Sequence, residues 1–433
     1  MSAVWPTKKL REIADIRVSN VDKKTYPSEK PVKLCNYMDV YSNDYVTGRI
    51  DFMEASATQA EIERFGLKSG DVIITKDSET PDDIGIPTVI TEEIAGLVCG
   101  YHLALIRPDA EELDSIYLAK QLSTSQVTRY FSLHASGSTR YGLPVGAIES
   151  LEIPTPPVHE QTKIAEILST VDRAIEQTEA LIAKQQRLKT GLMQDLLTRG
   201  IDEHGNLRSE QTHKFKDSPL GRIPVEWECL RLEQMTRADS PITYGVVQPG
   251  NEDENGVRFL RGGDVYGGEI HQEKLRTISR TVSSSYKRTI LEGGELVMSL
   301  VGYPGEVAVI PPNLAGSNLA RQVALIRLAV EYDANFVMYY LMSVHGKRQV
   351  FGSTLGSAQQ VVNLKDLRTV LIPLPKPKEQ AMIRQKIDGS FLEFKAQTRS
   401  LAKLRSLKTA LMQDLLTGRK RVTELLNNLE VPI

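Results

Sequence analysis

The sequence predicts an α+β chain: two mixed α/β domains separated by two long antiparallel helices forming a coiled coil, related by a pseudo-two-fold internal repeat. Three observations predict it. The decapeptide Lys189–Thr198, KTGLMQDLLT, returns near the other end of the chain as Lys408–Thr417, KTALMQDLLT. Each copy ends a long proline-free stretch with a single apolar stripe at helical spacing. Ahead of each stretch lie strand-like apolar runs entered from glycine turns, in a chain whose 433 residues exceed one ordinary domain.

The repeat runs well beyond the decapeptide. The offset holds back to Asp114 and Asp333, matching Ile153-Pro154-x-Pro156 with Ile372-Pro373-x-Pro375 and Glu160-Gln161 with Glu379-Gln380. Further upstream it drifts by a few residues: Ala104–Arg107 recurs as Ala324–Arg327, and Asp39-Val40-Tyr41 as Asp264-Val265-Tyr266. Trp5 precedes Leu10 as Trp227 precedes Leu232. A period as long as a whole domain marks a domain duplication, not a solenoid. The expected divisions are 1–152 (first domain), 153–200 (first long helix), 201–222 (linker), 223–371 (second domain) and 372–433 (second long helix and tail).

Within each copy the elements follow one order. Asp71–Thr75 and Glu295–Leu300 read as strands leaving glycine turns. Asp114 and Asp333 are placed to cap the free amides of a helix first turn. Gly-Ser loops follow at Gly137-Ser138 and Gly356-Ser357, then a strand into Ile-Pro-x-Pro, where proline bars a helix. The first stripe is Ile164, Leu168, Val171, Ile175, Ile182, Leu188, Leu192 and Leu196. The second is Ile383, Ile387, Phe394, Leu401, Leu407, Leu411 and Leu415. Glu160–Thr198 would run about 58 Å as a helix. The cheapest cover for such a stripe is the other copy, and antiparallel packing closes two linked repeats most simply. The polar stretch Arg199–Arg222 suits a long exposed return.

Composition excludes several classes. With 41% apolar and 25% charged residues the chain is that of a soluble globular protein. No apolar run reaches membrane-span length, and the first residues show no signal peptide, so a cytoplasmic location is expected. Cys35, Cys99 and Cys229 are too few and too scattered for a disulfide framework or a zinc site and are expected to be buried thiols. The net charge of −2 is uneven: residues 1–152 carry 16 Lys+Arg against 23 Asp+Glu, and residues 372–433 carry 12 against 6. There is no phosphate-binding loop, nucleophile elbow, paired metal-ligand histidine or calcium loop. No catalysis, cofactor or metal is therefore expected of this chain itself.

The arrangement resembles the DNA-specificity subunits of Type I restriction–modification systems over nearly the whole chain. The carriers are Ile153-Pro154-x-Pro156 leading to Glu160-Gln161, and the helix end Leu192-x-x-x-Leu196-Leu197-Thr198. In the second copy they are Ile372-Pro373-x-Pro375, Glu379-Gln380 and Leu411-x-x-x-Leu415-Leu416-Thr417-Gly418, and the linker Thr212–Trp227 is of the same kind. The resemblance implies two target-recognition domains, each reading half of a bipartite double-stranded DNA site, with the helices as spacer. It also implies two methyltransferase subunits docked around the helices, bringing S-adenosylmethionine, and motor-nuclease subunits bringing ATP and Mg. The rival expectation is a coiled-coil scaffold with two interaction domains and no nucleic acid.

Base edges are read by arginine on guanine and by asparagine or glutamine on adenine. Arg140-Tyr141 after the first Gly-Ser loop, and Gln359-Gln360 after the second, are the leading DNA-binding candidates. Lys23, Lys24 and Lys76 in the first domain and Arg258, Arg261, Arg321 and Gln322 in the second complete the set. Tyr101, Tyr141, Tyr244 and Tyr266 are expected to pack within sheets.

Overall fold

A computed structural model describes residues 5–352 and 361–423. The chain divides into two compact units. One takes residues up to Glu179 and again from Arg399 on; the other is Ala180–Thr398. These boundaries differ from the expected ones because both long helices, Val158–Thr198 and Pro377–Leu415, are shared out between the units. Glu179 and Thr398 stand at the same offset as the two decapeptides, so the repeat is divided at the same position in each copy.

In the first unit a five-stranded sheet runs in the order Ala14–Val18, Leu103–Pro108, Val72–Thr75, Pro87–Ile90, Tyr45–Val46. Alternation along its strands separates two cores. Val72, Ile74, Ala104 and Ile106 face one, while Ile73, Leu103 and Leu105 face the other. A second sheet, Met53–Ala57, Lys30–Cys35 and Leu97–Cys99, covers the latter. Helices Ser115–Leu122 and Ser125–His134 cover the former, and Ile164, Leu168, Leu415 and Leu416 of the long helices and their ends complete it. Asp114 caps as expected, its carboxylate accepting from the Tyr117 amide.

The second unit is built the same way. Thr243–Tyr244, Val323–Ile326, Leu296–Ser299 and Val307–Val309 form the main sheet. Leu296, Met298, Ala324 and Ile326 face a core that Met193, Leu196, Leu197, Ile383 and Ile387 complete. Val297, Val323 and Leu325 face the other core. Asp333 accepts from the Asn335 and Phe336 amides. Individual bonds recur: Arg107 grips Asp71 in the first unit, and Arg327 grips Glu295 in the second.

Contacts inside each unit show the helix segments running in opposite directions. In the first, Glu160, Asp172 and Glu179 of the first helix meet Arg421, Lys408 and Arg405 in descending order. In the second, Lys189 lies over the Phe391 and Phe394 rings, while Glu379 reaches the Ile201 amide beyond the first helix. The stripe is buried at its ends, but Leu188 and Leu407 are 61% and 47% exposed, against expectation. The reason lies one residue on. Lys189 and Lys408 take the inward positions, which turns each preceding leucine outward.

The linker, expected as a long exposed return, carries at its end an antiparallel hairpin, Phe215–Ser218 with Gly221–Pro224, turned at Gly221 with φ +90°. Cys35 and Cys99 are buried and reduced as expected, lying opposite one another on adjacent strands, but Cys229 is only half-buried.

Candidate nucleic-acid interface

Four of the candidate residues of the first unit gather around one small three-stranded sheet. The Gly-Ser loop forms a tight hairpin, Ser136–Gly137 with Tyr141–Gly142, and its second strand pairs with Asp77–Ser78. Arg140 stands exposed at the hairpin turn, Tyr141 opposite Ser78, and Lys76 at the end of the adjoining strand. The Lys76 amide donates to the carbonyl of His102, and the Lys23 ammonium lies 5.8 Å from the centre of the Tyr101 ring. Beside them Tyr37 and Tyr41 stack at 5.6 Å, and the Tyr41 hydroxyl donates to Asp83. That bond and the Asp83 charge push the Tyr41 phenol up. Burial, then Asp83, raises Tyr37, while Ser78 and the Arg140 charge pull it down. Asp39 is raised by burial against the pull of the Asn36 amide and of Lys23. Lys24 is exposed, its amide tied to Asp22.

The same backbone positions in the second unit carry different side chains. The Tyr101 amide donates to Val21 and the Arg321 amide to Val246; the Lys76 amide donates to His102 and the Leu300 amide to Gln322. Tyr101-His102 and Arg321-Gln322 therefore occupy equivalent places, and both Arg321 and Gln322 are exposed. Nearby, Tyr266 lies 5.0 Å from Tyr303, ring to ring. Tyr266 and Tyr244 are 52% and 47% exposed, so both depart from the expected burial in sheets. Each ends a two-residue strand.

Two other candidates are already engaged. The Arg261 side chain is held by Asp264 at 3.2 Å and by the Lys274 carbonyl, and its own amide donates to Asp264. This repeats the Asn36–Asp39 bond of the first unit. Arg258 donates to the carbonyl of Asn313. Both guanidiniums are thus bonded within the protein itself. Gln359, Gln360 and the loop Gly356-Ser357 lie outside the described residues.

Reasoning from sequence passed over Asp77, Tyr37, Tyr41 and His102. The signal for His102 was available: Ala104–Arg107 aligns with Ala324–Arg327, which sets His102 against Gln322. Among the described residues no helix is long and apolar enough to cross a membrane, and no group of three His, Cys, Asp or Glu could hold a metal.

Two separately cored units, each presenting polar and aromatic side chains around equivalent turns, define a two-domain protein. The Type I restriction modification DNA specificity domain matches this chain twice, over residues 3–185 and 224–403, and the chain belongs to that family. It is accordingly a Type I specificity subunit with two target-recognition domains. It is 24% identical over 427 residues to the putative type I restriction enzyme MjaX specificity subunit of Methanocaldococcus jannaschii, covering 96% of this chain and 94% of the relative. To the type I restriction enzyme EcoBI specificity subunit of Escherichia coli it is 29% identical over 247 residues, 55% of this chain and 51% of the relative. Its fold is similar to that of the S subunit from a Type I system of M. genitalium, with a TM-score of 0.59 at 15% identity over 96% of this chain and 97% of the other. A second likeness, at TM-score 0.53 and 18% identity, is to a chain solved in a study of complex assembly in the type I system, covering 96% of this chain and 98% of that one.

Proposed function

We propose that this chain is the non-catalytic DNA-reading subunit of a cytoplasmic Type I complex, each domain reading one half of a bipartite duplex site. The carrying observation is the pair of equivalent turns with unlike side chains: Tyr101-His102 in one unit, Arg321-Gln322 in the other. Arg140, Tyr141, Lys23, Lys24 and Lys76 serve the first half-site, and Arg321 and Gln322, with Arg258 and Arg261 nearby, the second. The helix pair is a coiled-coil spacer between domains related by a pseudo-two-fold repeat. Two methyltransferase subunits dock around it, bringing S-adenosylmethionine, and motor-nuclease subunits bring ATP and Mg. The acidic first domain supports this division of labour, since tight binding to phosphates needs basic charge that partners can share. The outward-turned Leu188 and Leu407 supply apolar surface on the spacer for such docking.

The test is reconstitution. The purified chain incubated with labelled S-adenosylmethionine and mixed-sequence DNA transfers no methyl group. With its methyltransferase subunits added, methylation appears at adenines within one two-part site. Methyl transfer by the chain alone, or methylation by the complex without sequence preference, would refute the reading.

A further inference from the structure

We propose that His102 is a base-reading residue of the first domain, positioned by Asp77, and that its target is the exocyclic amino group of an adenine or a cytosine. The inference rests on the reading of the first domain as a DNA-reading module and adds to it a residue, an orienting partner and a base-edge chemistry.

Among the described residues His102 is the only non-glycine with a positive φ, at +68°. A histidine in the left-handed region is uncommon, and a glycine would fit the turn at no cost. Gln322 in the equivalent position of the second unit has an ordinary backbone. The turn is therefore not a requirement of the shared fold. It directs this one side chain.

The ring is then fixed from two sides. Nδ1 lies 2.5 Å from the Asp77 carboxylate, and the Tyr101 ring sits against the imidazole with centres 3.9 Å apart. Space for the carboxylate comes from Gly142 across the strand pair, where a Cβ would stand 3.2 Å from Asp77 Oδ1. A carboxylate only accepts, so Nδ1 carries the proton, and a ring with one proton then presents the Nε2 lone pair. The side chain keeps a quarter of its surface exposed, and Lys23, Lys76 and Tyr141 neighbour its partners Tyr101 and Asp77. In the major groove the groups that donate to such an acceptor are adenine N6 and cytosine N4. The equivalent Gln322 carries both a donor and an acceptor, which suits adenine read through N6 and N7. Two unlike readers at one backbone position are what two unlike half-sites require.

The test is selection from a randomised duplex library by the chain assembled with its methyltransferase subunits. His102→Gly removes the reader without backbone cost at this left-handed turn, and His102→Asn keeps a residue that tolerates it. Both are expected to lower discrimination at one base pair of one half-site about tenfold, leaving the other half-site unchanged as internal control. Asp77→Ala produces a smaller loss at the same base pair, and Asp77→Asn restores much of it, because the amide oxygen still accepts from Nδ1. Melting temperature, followed in parallel, stays near that of the parent for His102→Gly. If the parent complex enriches a two-part site and both His102 variants enrich the same site undiminished, the inference is wrong while the specificity reading stands. If the parent enriches no site, both fall together.

Discussion

Asp172 shows most directly what one residue does here. Its carboxylate is almost fully buried, 2.7 Å from both Lys120 and Lys408, and accepts from the Tyr45 hydroxyl at 2.7 Å. Burial pushes its pKa up, but Lys120, Lys408 and Tyr45 outweigh that and hold it below the ordinary carboxylate value. A depressed folded-state pKa means the ionised form stabilises the fold. That contribution is complete above the ordinary Asp value near 3.8 and is lost as pH falls through the lower folded value. Asp172→Ala leaves two ammonium groups facing one another and is expected to cost about 3 kcal/mol. Urea titrations at pH 7 and pH 3 check this: the gap between parent and variant should be large at pH 7 and shrink in acid. At the repeat-equivalent positions of the other unit stand Phe391, Tyr339 and Lys189, and there the lysine lies 3.8 Å over the Phe391 ring. One unit closes its helix pair with ions and the other with a ring and a cation. The sequence repeat pairs these positions, but nothing in it says that they touch, because the contact joins helices that lie far apart in the chain.

At the scale of elements, the Glu-Gln pair that marks each helix start is explained by what it holds. Glu160 accepts two bonds at 2.7 Å from Arg421, whose guanidinium lies 5.4 Å from the centre of the Trp5 ring. Glu379 accepts from Arg208, from the Trp227 indole at 3.2 Å and from the Ile201 amide at 3.0 Å. In both units the start of one long helix is tied to the segment that follows the other. Gln161 donates to the carbonyls of Glu112 and Pro156, and Gln380 to that of Pro375, fixing each helix against its proline strand. Replacing Glu379 by Ala strands a mostly buried guanidinium and is expected to cost about 3 kcal/mol, and Glu379→Gln less. A double-mutant cycle with Arg208→Ala measures the pair: a coupling below about 0.5 kcal/mol would remove the clamp as an explanation. The helices, their caps and their order were readable from periodicity and from Asp114 and Asp333. The outward turn of Leu188 and Leu407 was not, because hydrophobicity alone does not mark Lys189 and Lys408 as the residues that take the inward place. The proposed reading surface was half legible. Lys23, Lys76, Arg140 and Tyr141 were identified singly, but their convergence depends on the strand pairing of Asp77–Ser78 with Tyr141–Gly142, which carries no local signal.

For the molecule as a whole, the duplication was legible because it is a statement about sequence spacing, and the same spacing locates the place to test the proposed spacer role. The units divide at Glu179 and Thr398, equivalent points of the two helices. A seven-residue insertion after each adds two turns and keeps the apolar stripe within about 20° of its phase. At about 1.5 Å per residue that is about 10 Å of added rod, or about three base pairs at about 3.4 Å each. If the helix pair spaces the readers, the doubly extended chain assembled with its methyltransferase subunits should methylate a site whose half-sites are unchanged and whose gap is about three base pairs longer. Extending one helix alone leaves the pairing of Lys408 with Asp172 and that of Lys189 with Phe391 out of register with each other, and should lower stability without giving a new gap. Methylation mapping over a library of gaps separates these outcomes. An unchanged gap in a folded, doubly extended chain would mean that something other than the helices sets the distance.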